Sequence, residues 1–337
     1  MRVLFKPYQI KDVVLPNRIV MPAMCQYSAT TNGFVQDWHI LHYGTRAVGG
    51  VGLIILEATA VEKGGRISEH DLGIWDDGHI EGLRKIVQVC HTYGAKVGIQ
   101  IGHAGRKGCG PERVAPSAVP FSEGGPVPME LTVQEIAETV SLWKEAGRRA
   151  REAQFDVLQI HGAHGYLIHE FLSPISNHRT DSYGGSLENR MRFLLEIVEA
   201  VRQEWPANKP LSVRLSAVDY LPGGLTIEDT ILIAQALKEK GVDLIDVSSG
   251  GIGPASIPLA PGYQVKYAEA VKKQVQISTI AVGLITSREL AQEIVFNERA
   301  DLVALGRELL RNPYWVLHAS SHSDKLWPKQ YERARTT

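Results

Sequence analysis

Short apolar runs alternate along this chain with longer segments in which apolar residues recur at helical spacing. Residues 51–60 are almost continuously apolar, which is typical of a strand buried on both faces. Residues 79–93 carry apolar side chains every three or four positions, which indicates a helix that Gly94 would end. By these criteria strands are predicted at 18–24, 51–60, 96–101, 156–161, 211–216, 243–248, 277–282 and 302–305, and helices at 38–48, 79–93, 132–154, 186–205, 226–240, 263–275, 286–296 and from Pro313 onward.

This alternation predicts an α/β protein with a single (β/α)8 TIM barrel. Strands joined through helices run parallel, with right-handed crossovers, and eight such units close into a barrel. An open, doubly wound sheet shows the same alternation, but no G-x-G-x-x-G segment follows the first predicted strand. Extended loops at the C-terminal face of the strands, residues 102–131 and 165–185, are expected to carry function. We expect residues 1–325 to form the barrel and 326–337 to form a C-terminal tail.

Composition narrows the class of protein further. The formal net charge is −1 and charged residues make up 22%, so no basic surplus favours a nucleic-acid or membrane partner. Cys25, Cys90 and Cys109 are sparse and widely spaced, which is typical of free thiols in a reducing compartment. The N-terminal residues lack the apolar run of a signal peptide, and the longest apolar stretch is too short to span a bilayer. We therefore expect a cytoplasmic location.

Functional residues are expected where the predicted strands end, because barrel enzymes place their active sites at that face. These ends are polar and cationic and contain few carboxylates, which disfavours a metal-dependent hydrolase or aldolase. The residues there are Met24, Cys25, Tyr27, Glu57, Ala58, Gln100, His103, Arg106, His161, His164, Tyr166, Arg214, Ser248, Ser249, Gly283, Gly306 and Arg307.

The last two strand ends have the composition of a phosphate site. Gly283 and Gly306 stand where barrels often hold phosphate, and glycine lets backbone N–H groups approach the anion closely. Arg307 adds a cation that can bind phosphate in a bidentate manner. Alternatively, the glycines only form turns and Arg307 pairs with a carboxylate. The presence of both glycines at this position favours the phosphate site.

Two histidines just past the fourth predicted strand are the most informative feature. His161 and His164 could donate hydrogen bonds to an atom that develops negative charge, and Tyr166 could supply a proton. With His103 as a third ligand they could instead bind a metal, or they could be hydrogen-bonded loop histidines. The spacing alone leaves all three interpretations open.

Gln100 and Arg214 suit a heterocyclic ligand. An amide at a strand end can bond the edge of a heterocycle or make a plain hydrogen bond at the barrel mouth. An arginine that faces the barrel interior needs an anionic partner, which a bound anion or electron-rich ring would supply. For Cys25 the simplest interpretation is a small buried residue.

The chain resembles the old yellow enzyme family of FMN-dependent ene-reductases, especially its shorter, thermophilic-like bacterial branch. The similarity runs in order through almost the whole chain, and the segment HGAHGYLIHEFLSPISNHRTDSYGG at 161–185 is its most specific part. That branch commonly has a small residue and then proline before Met24, whereas this chain has Pro22 and then Ala23. The other matching segments are 16–20 (PNRIV), 24–28 (MCQYS), 98–100 (GIQ), 103–107 (HAGRK), 188–190 (ENR), 213–216 (VRLS), 306–310 (GRELL) and 330–333 (QYER).

The resemblance implies that FMN lies across the barrel mouth and that no metal takes part. NADPH, or NADH, would reduce FMN, which would pass hydride to the β-carbon of an α,β-unsaturated carbonyl or nitro compound while Tyr166 protonates the α-carbon. A homo-oligomer, dimer or tetramer, is implied because Arg333 would reach a neighbouring subunit's site. The implied FMN-binding residues are Ala23, Met24, Cys25, Ala58, Gln100, Arg214, Gly283, Gly306 and Arg307, and the implied substrate-binding residues are Tyr27, His161, His164, Tyr166 and Arg333.

Overall fold

Eight parallel strands close into a barrel in this computed structural model, which describes residues 3–320 and 326–334. The strands are β1 (Tyr8–Ile10), β2 (Val13–Leu15), β3 (Ile19–Met21), β4 (Leu53–Ala60), β5 (Lys96–Gly102), β6 (Val114–Ala115), β7 (Met129–Glu130), β8 (Val157–Gly162), β9 (Leu211–Ser216), β10 (Leu244–Ser248), β11 (Ser278–Ala281) and β12 (Leu302–Ala304). The barrel order is β3-β4-β5-β8-β9-β10-β11-β12, and β12 pairs with β3 to close the sheet. The predicted barrel is therefore confirmed, and the open sheet is excluded.

Helices surround the barrel. They are α1 (Asp37–Val48), α2 (His79–Thr92), α3 (Val133–Glu152), α4 (Leu167–Leu172), α5 (Leu187–Glu204), α6 (Ile227–Glu239), α7 (Val265–Val275), α8 (Arg288–Phe296), α9 (Gly306–Arg311) and α10 (Trp315–Ala319). Seven of the eight predicted helices begin and end within two residues of these bounds. The eighth, predicted from Pro313 onward, corresponds to α10, which begins at Trp315, whereas α9, directly after β12, was not predicted. Within the described residues, no helix is long and apolar enough to cross a membrane.

The hairpin of β1 and β2 was not predicted, and it closes the amino-terminal end of the barrel. Its strands have three residues each, too few for a clear alternation of polar and apolar side chains. The apolar side chains of Ile10, Val13 and Leu15 pack against residues at the beginning of the barrel strands, including Leu53 and Leu244. The barrel is thus open only at the carboxyl ends of its strands.

Three aspartates stabilise that closed end through hydrogen bonds to neighbouring strands. Each stands directly before one of three alternate strands, β8, β10 or β12, and accepts a backbone N–H from the neighbouring strand that precedes it in the barrel. Each carboxylate also meets a cation, so these bonds are charge-assisted. The bonds run to Asp156 Oδ2 from Val97 N at 2.8 Å, to Asp243 Oδ2 from Leu211 N at 2.9 Å, and to Asp301 Oδ2 from Thr279 N at 3.0 Å.

The expected division into a barrel and a C-terminal tail stays a prediction. Its boundary at residue 325 falls beside residues 321–325, which lie outside the described part of the chain, as do residues 1–2 and 335–337. The described tail residues form a short 3-10 helix, Lys329–Ala334, and the ring of Tyr331 packs edge-on against that of Tyr314 with centroids 5.9 Å apart.

Replacing Asp243 by alanine should destabilise the barrel without disturbing its open end. The change removes the acceptor for the Leu211 N–H and leaves Arg202 without its partner at 2.5 Å. We expect the free energy of unfolding, measured by urea denaturation, to fall by about 2–3 kcal/mol. The matched control is Glu138→Ala on the exposed face of α3, for which about 0.5 kcal/mol or less is expected. Equal losses of stability in the two variants would show that the Asp243 carboxylate does not stabilise the closed end of the barrel.

Candidate active site

The two histidines and the tyrosine singled out in the sequence meet at the open end of the barrel. The ring centroids of His161 and His164 lie 5.2 Å apart, and those of His161 and Tyr166 lie 5.0 Å apart. His164 has a left-handed backbone with φ of +61°, and Gly165 follows at +71°. A Cβ on Gly165 would lie 2.0 Å from the carbonyl oxygen of Gly251, so only glycine fits this turn.

Hydrogen bonds leave one ring nitrogen of each histidine without a protein partner. The Ala163 N–H donates to His161 Nδ1 at 3.4 Å, which places the His161 proton on Nε2. His164 Nε2 lies 2.7 Å from the Ser248 hydroxyl, which also lies 3.4 Å from Gln264 Oε1. Among the described residues, His161 Nε2 and His164 Nδ1 therefore remain available to a ligand.

Both imidazoles are held neutral. Burial lowers the pKa of His161 and of His164 well below the usual value, and the positive charges of Arg214 and Lys107 lower both further. A neutral histidine has a single N–H donor. The pair can therefore bind an oxygen atom without carrying a charge of its own.

Tyr166 is half-buried beside His161, and burial raises the pKa of its phenol above the usual value. The phenol is therefore protonated at neutral pH and can donate a proton. The Lys107 ammonium lies 4.7 Å from the centre of the Tyr166 ring, within cation–π range. This lysine also donates to the carbonyl oxygen of His164 at 2.8 Å, so it contacts both ends of the turn.

The loop after β3 brings the next predicted residues to the rim. Ala23, Met24 and Cys25 are half-buried there, while Tyr27 is 57% exposed, with φ of +53°. Burial, with the nearby carboxylates of Asp71 and Glu57, raises the pKa of the Cys25 thiol to about 12. The thiol is thus uncharged at neutral pH.

Glu57 holds the loop after β3 in place through a hydrogen bond. A bulge between Leu56 and Ala58 leaves Ala58 half-buried and Glu57 fully buried. The Glu57 carboxylate accepts the Gln26 N–H at 2.7 Å and the Tyr43 hydroxyl at 3.2 Å. Its structural role was missed from the sequence, where only its position at a strand end was visible.

A polar chain runs across the barrel interior below the mouth. Asp246 Oδ2 accepts from Gln159 Nε2 at 3.4 Å, and Gln159 Oε1 accepts from Gln100 Nε2 at 2.7 Å. Because the buried carboxylate accepts, each amide is turned so that Gln100 keeps Oε1 as an acceptor for a ligand. Asp246 also lies 3.3 Å from Arg214 Nε, which supplies the anionic partner that this arginine required. Gln159 and Asp246 were missed because they point inward from mid-strand.

The unusual Pro22–Ala23 order leaves the backbone contact of this loop in place. Arg214 Nη1 lies 3.5 Å from the Ala23 carbonyl oxygen. Strand β9, on the opposite side of the barrel, therefore still contacts the loop after β3. A contact made by a carbonyl does not depend on the identity of the side chain. The substitution therefore preserves the position of Arg214.

Gly283, Gly306 and Arg307 line one cavity of about 240 Å³ at the ends of β11 and β12. Gly283 has φ of +129°, and a Cβ there would crowd Gln264 and Tyr263 at 3.2 Å. Arg307 is exposed and makes no ion pair with any carboxylate in residues 3–320 or 326–334. The neighbouring Glu308 bonds Arg311 instead, at 2.7 Å. The arrangement fits a phosphate rather than an internal ion pair.

His103 does not complete a metal site. It faces the same small cavity as His161 and Tyr166, but its Nε2 bonds Glu62 at 2.5 Å and its Nδ1 accepts the Gly105 N–H at 2.9 Å. In the described ranges, no three His, Cys, Asp or Glu side chains are placed to hold a metal ion. Of the three interpretations left open by the spacing, the geometry favours a pair of hydrogen-bond donors.

Arg333 lies apart from these residues in sequence, exposed in the tail helix Lys329–Ala334. Its contact with a neighbouring subunit stays a prediction. The mouth combines a cavity at the ends of β11 and β12, an amide acceptor on β5, a cation on β9, and a pair of neutral imidazoles beside a phenol after β8. A planar, electron-rich heterocycle that carries a phosphate fits these features together.

The fold and this mouth define a flavin-dependent oxidoreductase of the barrel class. The sequence profile of the NADH:flavin oxidoreductase / NADH oxidase family matches residues 3–325. The chain belongs to this family, the old yellow enzyme family, and its members use FMN and a nicotinamide reductant.

Three similar proteins agree with this assignment. The chain is 58% identical over 319 residues to an NADPH dehydrogenase of Geobacillus sp. (strain WCH70), covering 94% of this chain and 93% of that protein. It is 55% identical to an NADPH dehydrogenase of Geobacillus thermodenitrificans (strain NG80-2), covering 98% of both chains. The solved structure of an old yellow enzyme homologue from Zymomonas mobilis superposes with a TM-score of 0.80 at 28% identity, covering 99% of this chain and 94% of that one.

His161 and His164 should remain neutral in the folded protein from about pH 5.5 to 8. Their lowered pKa values mean that the unfolded chain binds more protons, so this contribution to stability is present above about pH 6.5 and is lost as the pH falls further. Imidazole ¹⁵N NMR of the holoprotein, assigned with His161→Gln and His164→Gln, measures this directly. A titration midpoint near pH 6.5 in either ring would contradict the neutral pair.

Proposed function

We propose that this protein is an ene-reductase that reduces α,β-unsaturated carbonyl or nitro compounds with electrons from NADPH, or from NADH. One observation carries the proposal: two neutral imidazoles, each with one ring nitrogen that has no partner among the described residues, stand beside a protonated phenol at the open end of the barrel. Two donors suit the oxygen of a carbonyl or nitro group, and the phenol suits the carbon next to it. The similarity to enzymes named NADPH dehydrogenase supports NADPH as the reductant.

The residues of the mouth fit FMN. Gly283, Gly306 and Arg307 would hold the phosphate, Gln100 would bond the pyrimidine edge, and Arg214 would lie beside that edge as a counter-charge. Ala23, Met24, Cys25 and Ala58 would line the ring from the half-buried rim. FMN, when bound, would supply the hydride chemistry that links oxidation of the nicotinamide to reduction of the alkene at its β-carbon.

The histidines act on the activating group of the substrate. His161 Nε2–H and His164 Nδ1–H donate to the carbonyl or nitro oxygen, where negative charge develops as the alkene is reduced. The two rings are held in place in advance by their hydrogen bonds with Ala163 and Ser248, so little reorganisation is needed in the transition state. Because the rings are neutral, the oxygen is stabilised by hydrogen bonds and by the nearby cations rather than by an imidazolium.

Tyr166 acts as the proton donor. Its raised pKa keeps the phenol protonated, and its ring is held between His161 and Lys107. The phenol transfers its proton to the α-carbon, and the Lys107 cation stabilises the phenolate that is left. Tyr27, exposed at the rim, would frame the other side of the substrate.

The biological setting is part of the proposal. The exposed Arg333 in the tail helix supports a homo-oligomer, a dimer or a tetramer, in which this side chain enters a neighbouring site. The three cysteines are free in the structure, which supports a reducing, cytoplasmic location. Small activated alkenes are the proposed substrates, without a nucleic-acid or membrane partner.

The deciding experiment follows the flavin absorbance of the purified protein without oxygen. NADPH should bleach the band near ~450 nm, and 2-cyclohexenone should restore it. Bleaching without recovery would show that NADPH reduces the flavin, and it would refute the proposal that the protein reduces activated alkenes. A colourless protein that FMN cannot reconstitute would refute the fit of the mouth to the cofactor.

The double variant His161→Ala with His164→Ala should lose turnover of 2-cyclohexenone while keeping bound flavin. Removing both donors eliminates the stabilisation of the developing charge, so kcat/KM should fall at least about 1000-fold. Steady-state kinetics and the ratio of flavin to protein absorbance measure the two effects. Loss of flavin instead would overturn the substrate-binding role of the histidines.

Tyr166→Phe should separate the two halves of the reaction. The rate of re-oxidation by 2-cyclohexenone should fall about 100-fold or more, since the proton donor is removed. Reduction of the flavin by NADPH needs no proton from this residue and should change less than about threefold. Stopped-flow traces of each half-reaction give these rates, and an unchanged re-oxidation rate would exclude Tyr166 as the donor.

A further inference from the structure

The turn that carries His164 and Tyr166 has a strained backbone. His164 has φ of +61°, a left-handed conformation that is uncommon for a residue other than glycine, and Gly165 follows at +71°. Gly165 is also buried, so its backbone N–H needs a partner inside the protein. The side chain that accepts this N–H helps to fix the shape of the turn.

That side chain is His169 in α4, which does not stand at a strand end. Its Nδ1 accepts the Gly165 N–H at 2.8 Å. A ring nitrogen that accepts a backbone N–H carries no proton of its own, so the proton of His169 is on Nε2. This Nε2 lies 2.9 Å from Asp219 Oδ1. The imidazole therefore lies between the backbone of the turn and a carboxylate.

We propose that His169 and Asp219 are positioning residues for alkene reduction, an inference that rests on the proposed function. They hold the turn so that His164 and Tyr166 meet the substrate in a productive geometry. Both side chains are fully buried, so they act through the backbone of Gly165 rather than on the substrate itself. We call His169 and Asp219 the positioning pair.

Asp219 is firmly anchored in the loop after β9. Its Oδ2 accepts the Ser173 hydroxyl at 2.7 Å and the Leu225 N–H at 2.8 Å. Burial alone would raise the pKa of the Asp219 carboxyl, but the contacts with His169, Ser173 and the Leu225 N–H hold it below its usual value. The carboxylate is therefore charged at neutral pH, and it favours the form of His169 that has its proton on Nε2.

The position of Gly165 matters because this residue joins the two reacting side chains. Ser216 Oγ accepts the His164 N–H at 3.0 Å, and Lys107 donates to the His164 carbonyl oxygen at 2.8 Å. Those two contacts hold His164, whereas His169 holds the residue between His164 and Tyr166. A shift of Gly165 would move the imidazole and the phenol relative to each other, and a misplacement of about 1 Å can slow a reaction about 100-fold.

His169→Gln separates the two contacts of the ring. The amide nitrogen of glutamine reaches the position of Nε2 and can still donate to Asp219, but the Gly165 N–H loses its acceptor. In stopped-flow experiments, the limiting rate constant for re-oxidation of the flavin by 2-cyclohexenone should fall about 10- to 100-fold. Reduction of the flavin by NADPH should slow much less, because that step takes no proton from Tyr166. An unchanged re-oxidation rate would overturn the proposal.

His169→Asn should restore much of the rate. Its Oδ1 takes the position of Nδ1 and can accept the Gly165 N–H, whereas the buried Asp219 loses its partner, so this variant should be the less stable of the two. We expect re-oxidation within about fivefold of the unaltered enzyme. A purely structural role would order the rates of the two variants by their stability in urea. A rate in His169→Asn as low as that in His169→Gln would therefore overturn the proposal.

His91→Asn is the matched control. His91 Nε2 lies 2.6 Å from Asp156 Oδ2 at the closed end of the barrel, so this change also removes a contact between a histidine and a carboxylate. The rates of both half-reactions should stay unchanged, and the ratio of flavin to protein absorbance reports that each variant is folded. A fall in the re-oxidation rate equal to that in His169→Gln would overturn the special role of His169.

Imidazole ¹⁵N NMR of the unaltered holoenzyme, assigned with His169→Asn, gives an independent check. The spectrum should show His169 as a neutral ring with its proton on Nε2 and with Nδ1 coupled to the Gly165 amide across their hydrogen bond. A proton on Nδ1 would overturn the proposal. This measurement omits the enone, so its failure differs from that of the proposed function, in which 2-cyclohexenone would not re-oxidise the flavin of the unaltered enzyme.

Discussion

The structure depends on closure of eight parallel strands into one barrel. Parallel strands end at the same rim, so closure brings side chains from distant parts of the chain within bonding distance. His164 reaches Ser248, which is 84 positions further along the chain, at 2.7 Å. The other end of the barrel then has to be sealed, and the N-terminal hairpin and the aspartates before β8, β10 and β12 do this. Stability is concentrated at one end and chemistry at the other.

Burial and the neighbouring groups determine the charge state of each side chain at the rim. Arg214 and Lys107 are held by groups inside the protein, Arg214 by Asp246 and Lys107 by backbone carbonyls. Their positive charges, with desolvation, keep the two imidazoles neutral, so the mouth is cationic without an ionised histidine. Such a mouth favours a reduced, electron-rich ring and a substrate oxygen that gains negative charge.

Much of the fold could be predicted because its signals are local. Seven helices fall within two residues of their predicted bounds, since amphipathic spacing and caps act over one or two turns. The N-terminal hairpin and α4 were missed because segments of three to six residues are too short to show a period. Helix α9 was missed because Gly306 opens it, a residue more usual after a helix end.

By itself, the sequence determined the number and order of strands and helices, and with them which residues stand at strand ends, because these depend on neighbours in the chain. The tertiary structure alone decided which of those residues meet. It showed that Asp246 orients Gln100 through Gln159, and that Ser248 contacts the ring of His164. Contacts of this kind depend on register and closure, which no short window of sequence contains.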